Sequence, residues 1–272
     1  MDTLGWLTIA AAALVGLAAG RYIAVLMAWV PAGSASPATD TRRRRLPPAR
    51  CPHGVAALLA ADLLPGAGRP RLRGRCPECA ARLGAGSVAA ELLTAAVLAV
   101  LAAGFGPSPV LPAFCYFGVL AVALALIDAR TQRLPDFLTL PSYPIAAALL
   151  AAAAPATPGG VRSILDALTG MAVAWLLFLA QALIYPAGIG WGDVKLSGVV
   201  GLYLGWLGLG AVAAGLFLGY LLAAIVGVTL LIAGRASRTS RLAFGPFLLT
   251  GALAVIVASS FGVPFLMSLS RL

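Results

Sequence analysis

Long apolar stretches, separated by short polar or Gly/Pro-containing breaks, run through most of the chain. Their lengths of about 17 to 25 residues suit helices that cross about 30 Å of hydrocarbon. Only Gly205, Gly208 and Gly210 separate the sixth stretch from the seventh, and we place a tight turn there. The pattern predicts an all-α polytopic transmembrane bundle of about eight spans. They lie near residues 4–30, 88–104, 110–128, 137–154, 162–184, 194–207, 208–233 and 245–268.

The residues between the first and second apolar stretches form a separate, basic unit. It opens with a stretch rich in Ala, Ser and Pro, continues through Arg42 to Arg45, and ends after the Cys-Pro-Glu-Cys sequence at 76–79. We therefore divide the chain into a first transmembrane helix at 1–30, a basic cytoplasmic loop at 31–86 and a seven-helix membrane core at 87–272. The first stretch lacks a basic n-region and is too long for a signal peptide, so we expect it to be retained.

Composition and charge agree with a membrane protein. Hydrophobic residues make up 61% of the 272 residues and charged residues only 10%, against roughly 25% in soluble domains. The net charge of +10 is concentrated in the 31–86 loop, which the positive-inside rule places in the cytoplasm, with the N-terminus outside. We expect a multi-pass protein of the inner membrane whose loop lies against anionic lipid headgroups. The loop shows no clear aromatic or helical presentation of its arginines, so nucleic acid is not an expected partner.

Three acidic residues lie in or at the ends of apolar helices: Glu91, Asp128 and Asp193. A carboxylate in hydrocarbon costs roughly 2.5 to 3.5 kcal/mol on insertion scales, so each is a functional hypothesis. Taken singly, each could instead be a helix-end residue, and Asp193 could be the N-cap of a Gly-rich helix start. The predicted topology brings Asp128 and Asp193 to the same membrane face.

Two carboxyl groups that share a pocket can divide the work of peptide hydrolysis. The ionised one deprotonates a water, and the protonated one assists the developing oxyanion and then the leaving amine. The pair Asp128 and Asp193 therefore predicts an aspartic protease. We expect Gly190 and Gly192 to let the backbone turn tightly and approach a substrate strand. Lys195 either tunes the pair electrostatically or anchors its helix at the interface.

Three segments resemble the type IV prepilin peptidase family, whose members are membrane aspartic proteases. They are Asp128 with the following Leu-Pro-Asp and Leu-Thr-Leu-Pro up to 141, the Gly-Trp-Gly-Asp at 190–193, and the Phe-Gly-Pro-Phe at 244–247. The resemblance implies that Asp128 and Asp193 are catalytic and that proteolysis needs no cofactor. It also implies a prepilin or pseudopilin substrate, cut after a Gly at the end of a short basic leader. Glu91 resembles the family's glutamate at the start of its second helix.

The loop departs from the bifunctional members of this family, which carry two Cys-x-x-Cys pairs and N-methylate the new N-terminus with S-adenosylmethionine. Cys76 and Cys79 form one intact pair. The first pair is broken, because its segment reads Cys51-Pro52-His53-Gly54 and lacks a second cysteine. Cys51, His53, Cys76 and Cys79 could form a tetrahedral zinc site, and an unmetallated loop with reduced thiols is the alternative. S-adenosylmethionine is expected as a cofactor only if methyl transfer is retained.

Two other kinds of protein could place acids in membrane helices. One is an ion- or proton-coupled transporter in which Asp128 and Asp193 form a relay, but no pair of matching half-sequences is evident. The other is a presenilin-like intramembrane protease, which usually carries Tyr-Asp in its other catalytic helix. Here Ile127 precedes Asp128, which disfavours that interpretation.

Overall fold

The computed structural model describes residues 3–29, 86–132, 134–185, 189–234 and 243–262. Most of the basic loop lies outside this part of the chain, so the expectations for Arg42 to Arg45 and for the four zinc ligands lie outside the described residues. The described chain forms eight α-helices and one 3-10 turn, Ala154–Ala156. The helices are α1 (Thr3–Trp29), α2 (Gly86–Phe105), α3 (Leu111–Thr131), α4 (Asp136–Ala153), α5 (Gly160–Ile184), α6 (Trp191–Leu207), α7 (Leu209–Ile232) and α8 (Gly245–Ser260).

Six of these helices, α1 to α5 and α7, are long and apolar enough to cross a membrane. The two others are shorter, with 17 residues in α6 and 16 in α8. The prediction of an all-helical, multi-pass membrane bundle is confirmed. The predicted extension of the last helix to residue 268 is wrong, because α8 ends at Ser260 and Gly262 adopts a positive φ of 70°.

The turn between α6 and α7 falls at Gly208, one of the three glycines that the sequence left as candidates. Its φ of 121° and ψ of 159° define a backbone conformation that residues with a side chain rarely adopt. A single residue therefore separates the two helices and reverses the chain.

Closely packed helix pairs are built on glycines spaced four residues apart, a pattern that lets membrane helices approach at the backbone. A Cβ added at Gly16 of α1 would lie 2.6 Å from the Cα of Ala95 in α2. The same distance would separate a Cβ at Gly170 of α5 from the carbonyl oxygen of Gly201 in α6. Larger residues at these crossings would push the helices apart.

Helix α6 lies at the centre of the largest hydrophobic cluster among the described residues. Most of its residues from Val194 to Trp206 are buried, and it packs against α4, α5, α7 and α8. Tyr203 on α6 makes ring contacts with Phe114 and Phe117 of α3. A helix that is apolar on all sides is stable only inside such a bundle, and its first turn is therefore held firmly by its neighbours.

Candidate active site

Asp128 lies in the last turn of α3 and is buried, with 4% of its surface exposed. The helix ends three residues later, where the N–H of Gln132, in the left-handed conformation, donates to the carbonyl oxygen of Asp128. The preceding residue, Ile127, packs in a hydrophobic cluster with Ile23 of α1 and Ala90 of α2. These contacts fix the end of α3 and with it the position of the Asp128 side chain.

The first N–H of α8 is directed at this carboxyl group. The backbone N–H of Gly245 donates to Oδ2 of Asp128 at 3.1 Å. The first N–H groups of a helix have no partner within the helix, and a carboxylate is a favourable neighbour for them. Pro246 follows and has no N–H, while the N–H of Phe247 donates to the carbonyl of Phe244. The Phe-Gly-Pro sequence thus leaves Gly245 as the donor that faces Asp128.

Asp193 lies in the first turn of α6 and is half-buried. The helix begins at Trp191 rather than at Val194, and its N-cap is Gly190. The backbone N–H of Asp193 donates to the carbonyl of Gly190 at 3.0 Å. The alternative that Asp193 is the N-cap is therefore wrong, because its backbone is already helical.

The structure brings these two acids together at one end of the bundle. Asp128 interacts electrostatically with Asp193, although the two residues lie 65 positions apart in the sequence. Three helix ends, those of α3, α6 and α8, meet at this point. Two acidic side chains and a backbone N–H donor converge there, and such a pair of carboxyl groups can supply both a general base and a general acid.

The two supporting glycines serve different purposes. Gly190 has φ −75° and ψ 147°, an extended backbone that any residue adopts, so the expected need for a tight turn does not apply to it. A Cβ there would lie 3.5 Å from Oδ2 of Asp193. Gly192 is inside the helix, and a Cβ there would lie 3.0 Å from the Cβ of Leu134, in the segment after α3. The absence of a side chain at Gly190 leaves space beside Oδ2 of Asp193, and Gly192 lets the α3–α4 connection approach α6.

Lys195 forms an ion pair with Asp136 at the start of α4, with 2.8 Å between Nζ and Oδ1. Two turns further along α4, the hydroxyl of Tyr143 donates to the carbonyl oxygen of Lys195. Gly198 provides the space for that hydroxyl, because a Cβ there would overlap it. Sequence reasoning did not identify Asp136 and Tyr143 as partners of α6. The structure gives Lys195 a role in joining α4 to the helix that carries Asp193.

An aromatic cluster lies beside the two acids and was also missed from the sequence. The rings of Phe178 in α5, Tyr220 in α7 and Phe244 before α8 have centroids 5.0 to 5.8 Å apart. Tyr220 donates a hydrogen bond to Oε1 of Gln181 and interacts electrostatically with Asp193. Because Phe244 directly precedes Gly245, the cluster connects the surroundings of Asp193 with those of Asp128.

Family profiles match both parts of the chain. Residues 115–267, which include Asp128, Asp193 and Gly245, match the type IV leader peptidase family, and residues 14–105 match the bacterial peptidase A24 N-terminal domain. The chain belongs to the type IV leader peptidase family. The predicted family is thereby confirmed.

Curated members of this leader peptidase family resemble the chain over most of its length. A protein of Burkholderia pseudomallei (strain 1026b) is 36% identical over 224 residues, which are 81% of this chain and 69% of that protein. One of Aeromonas hydrophila is 34% identical, covering 79% and 73%, and one of Bacillus subtilis (strain 168) is 30% identical, covering 76% and 80%. All three are named prepilin leader peptidase/N-methyltransferase. No solved structure matches the chain.

Glu91, the third acid of the membrane helices, lies in the contact between α1 and α2. Its Oε1 is 3.5 Å from Nε of Arg21. The sequence did not indicate which residue pairs with Glu91, and the structure places the oppositely charged Arg21 beside it on the neighbouring helix. An acid in a membrane helix that faces a cation is less costly than an isolated one, so Glu91 has a structural explanation.

Within the described ranges, His, Cys, Asp and Glu side chains form no group of three or more that could hold a metal ion. Cys115 on α3 is a free thiol at an intermediate burial. The predicted zinc ligands Cys51, His53, Cys76 and Cys79 lie outside the described residues, so the zinc site stays a prediction.

Replacing Gly190 by Ala is expected to leave folding intact and to lower peptidase activity. The backbone at this position tolerates a side chain, and the new methyl group would only lie against Oδ2 of Asp193, where a substrate must approach. We expect an unchanged thermal unfolding temperature and a decrease in kcat/KM of about tenfold. Thermal unfolding and initial rates on the purified variant measure the two effects. Full activity would show that Asp193 is approached from another side.

Removing the ion pair between Lys195 and Asp136 is expected to have a small effect. Both side chains are partly exposed, and such pairs contribute about 0 to 1 kcal/mol. Lys195→Met and Asp136→Asn should each reduce activity by less than about fivefold, and the double variant should lose no more than the larger single loss. Rates of the two single variants and the double variant test this. A much larger loss in Lys195→Met alone would instead favour electrostatic tuning of the acids by Lys195.

Proposed function

We propose that this protein is a membrane aspartic endopeptidase that removes the leader peptide from type IV prepilins or pseudopilins, with Asp128 and Asp193 as its catalytic residues. The observation that carries the assignment is the meeting of these two acids, one on α3 and one on α6, at the end of the bundle. Membership of the leader peptidase family and the names of the curated relatives support it. The comparisons give no support to the transporter alternative.

The chemistry follows from two carboxyl groups in different protonation states. The ionised carboxylate removes a proton from a water molecule, and the resulting hydroxide attacks the carbonyl carbon of the scissile peptide bond. The protonated carboxyl group hydrogen-bonds the developing oxyanion and then supplies the proton that the leaving amine needs. The hydrogen bond from Gly245 keeps Asp128 oriented during these steps. Proteolysis by this route requires no metal ion or organic cofactor.

The site is proposed to face the cytoplasm, in the inner membrane. The arginines of the 31–86 loop support this orientation, because basic loops remain on the cytoplasmic side. The chain enters α2 from this loop and leaves α3 at Asp128, so two membrane crossings return it to the same side. The N-terminus then lies outside, and the loop can contact anionic lipid headgroups on the inside.

The direct test is co-expression with a prepilin in a host that lacks its own peptidase. We expect a shortened pilin, detected by a shift in electrophoretic mobility and by the mass of its new N-terminus. A pilin that keeps its full mass beside correctly inserted protein would contradict the proposal. The relatives' names also include N-methylation. A product heavier by one methyl group would reveal that second activity, and zinc analysis of the purified protein would test the loop separately.

A further inference from the structure

An apolar groove lies between α5 and α7, with a volume of about 370 Å³. Its walls include Val173 and Leu177 of α5 and Ala213, Phe217 and Tyr220 of α7. The groove extends along α7 from Leu209, at the end of the bundle opposite Asp193, to Tyr220. Eleven residues of helix span about 16 Å, roughly half the thickness of the hydrocarbon layer.

The groove ends in a polar pair next to the two acids. Val173, Leu177 and Gln181 are spaced four residues apart and therefore share one face of α5. Gln181 is the polar continuation of this face, and its Oε1 accepts the hydrogen bond from Tyr220. Tyr220 in turn interacts electrostatically with Asp193, and its ring lies tilted against that of Phe244, which directly precedes the Gly245 that donates to Asp128. An apolar path thus changes to a polar one where it reaches the site.

A substrate at this point has a specific chemical need. A peptide bond can be attacked only where the chain is extended, and an extended chain at the membrane boundary exposes N–H and C=O groups that have lost their helical partners. These groups must find partners in the enzyme. When Oε1 of Gln181 accepts the bond from Tyr220, its amide nitrogen carries two donors that can be directed to a main-chain carbonyl.

We propose that Gln181 and Tyr220 form a subsite for the substrate main chain. Gln181 donates to a carbonyl on the membrane side of the scissile bond, Tyr220 orients the Gln181 amide, and the groove between α5 and α7 receives the apolar segment that follows. The occupant is therefore an apolar helical segment of the substrate, and its continuity with the polar pair and the two acids is the reason for this choice. The inference rests on the proposed peptidase function.

The test compares synthetic substrates that differ in one main-chain atom. Each carries the leader, the cleavage site and the apolar segment, and a single amide among about the first three on the membrane side is replaced by an ester, whose carbonyl is a weaker acceptor. We expect the ester at one of these positions to lower kcat/KM of the wild-type protein about tenfold relative to the all-amide substrate. Gln181→Leu should lose about tenfold on the amide substrate and lose little more on that ester. Tyr220→Phe should show a smaller loss of the same kind.

A purely structural role for Gln181 predicts another result. Gln181→Leu would then be less active on every substrate but would keep the full ester penalty, and this outcome would overturn the subsite. Thr169→Val is the matched control on α5, because the Thr169 hydroxyl donates to the carbonyl oxygen of Asp166 in its own helix. This variant should keep the wild-type ester penalty. If the wild-type protein cleaves no substrate at all, the proposed function fails instead.

The groove is tested by filling it. Ala213→Trp places a large side chain in the groove, and we expect it to raise KM for the long substrate at least about fivefold without changing KM for a peptide truncated after the cleavage site. Ala148→Trp, on the exposed face of α4, is the control and should change neither. Equal behaviour of the two variants would show that the groove holds lipid rather than substrate, and would overturn this part of the inference.

Discussion

Replacing Asp128 or Asp193 by Asn is expected to abolish cleavage of a co-expressed prepilin. Each substitution keeps the size of the side chain but removes its ability to exchange a proton, and the mechanism needs both a base and an acid. Proton transfer by one positioned group contributes about 10² to 10⁴ in rate, so each variant should be slower by at least about 10³-fold. Because the two groups act as a unit, the double variant should be little worse than either single one. Immunoblots of the pilin, followed by rates on purified protein, measure the loss.

Two controls separate catalysis from folding. Membrane insertion and the thermal unfolding of each variant should remain close to those of the wild-type protein, because Asn can still accept the hydrogen bond from Gly245 at position 128. Asp166→Asn is the matched control, since Asp166 pairs with Arg162 on the exposed surface of α5 and should leave cleavage unchanged. Normal processing by either Asp128→Asn or Asp193→Asn would exclude that residue from the reaction.

The helices and the pairing of the two acids could be predicted because both depend on local sequence and on topology. Apolar length marks a membrane helix, and counting the crossings brings Asp128 and Asp193 to one face. The single-residue turn at Gly208 was also among the predicted breaks. The end of α8 was missed although signals were present, since Gly262 and Pro264 are typical of residues that follow a helix end. The apolar residues beyond them were given too much weight.

The partners of these residues could not be predicted, because they depend on which faces of distant helices meet. Lys195 and Asp136 are 59 residues apart, and Gly245 and Asp128 are 117 apart. Hydropathy gives the length of a membrane helix but says little about its rotation, since lipid-facing and core-facing residues are both apolar. For the same reason, neither the contact of Tyr220 with Gln181 nor the groove beside it has a signal in the pattern of the sequence.

Replacing Gly245 by Ala is expected to reduce activity about a hundredfold while the protein remains folded. A Cβ at this position would lie 2.6 Å from Oδ2 of Asp128, closer than atoms can approach, so the carboxyl group must turn away or α8 must shift. Either movement weakens the hydrogen bond that orients Asp128, and a displacement of about 1 Å in a catalytic group can cost this much. The effect should fall mainly on kcat, because the substituted residue contacts the acid and not the groove between α5 and α7.

Gly251→Ala is the matched control for this prediction. It adds the same methyl group to the same helix, and its Cβ would lie 2.6 Å from the backbone nitrogen of Gly219 in α7, well away from Asp128. We expect Gly251→Ala to lower the thermal unfolding temperature but to keep most of its activity per folded molecule. Gly245→Ala should show the opposite balance, with a small change in stability and a large loss of kcat. If the two variants lose activity only in proportion to their loss of stability, then α8 merely packs against the site, and the orientation of Asp128 must depend on α3 alone.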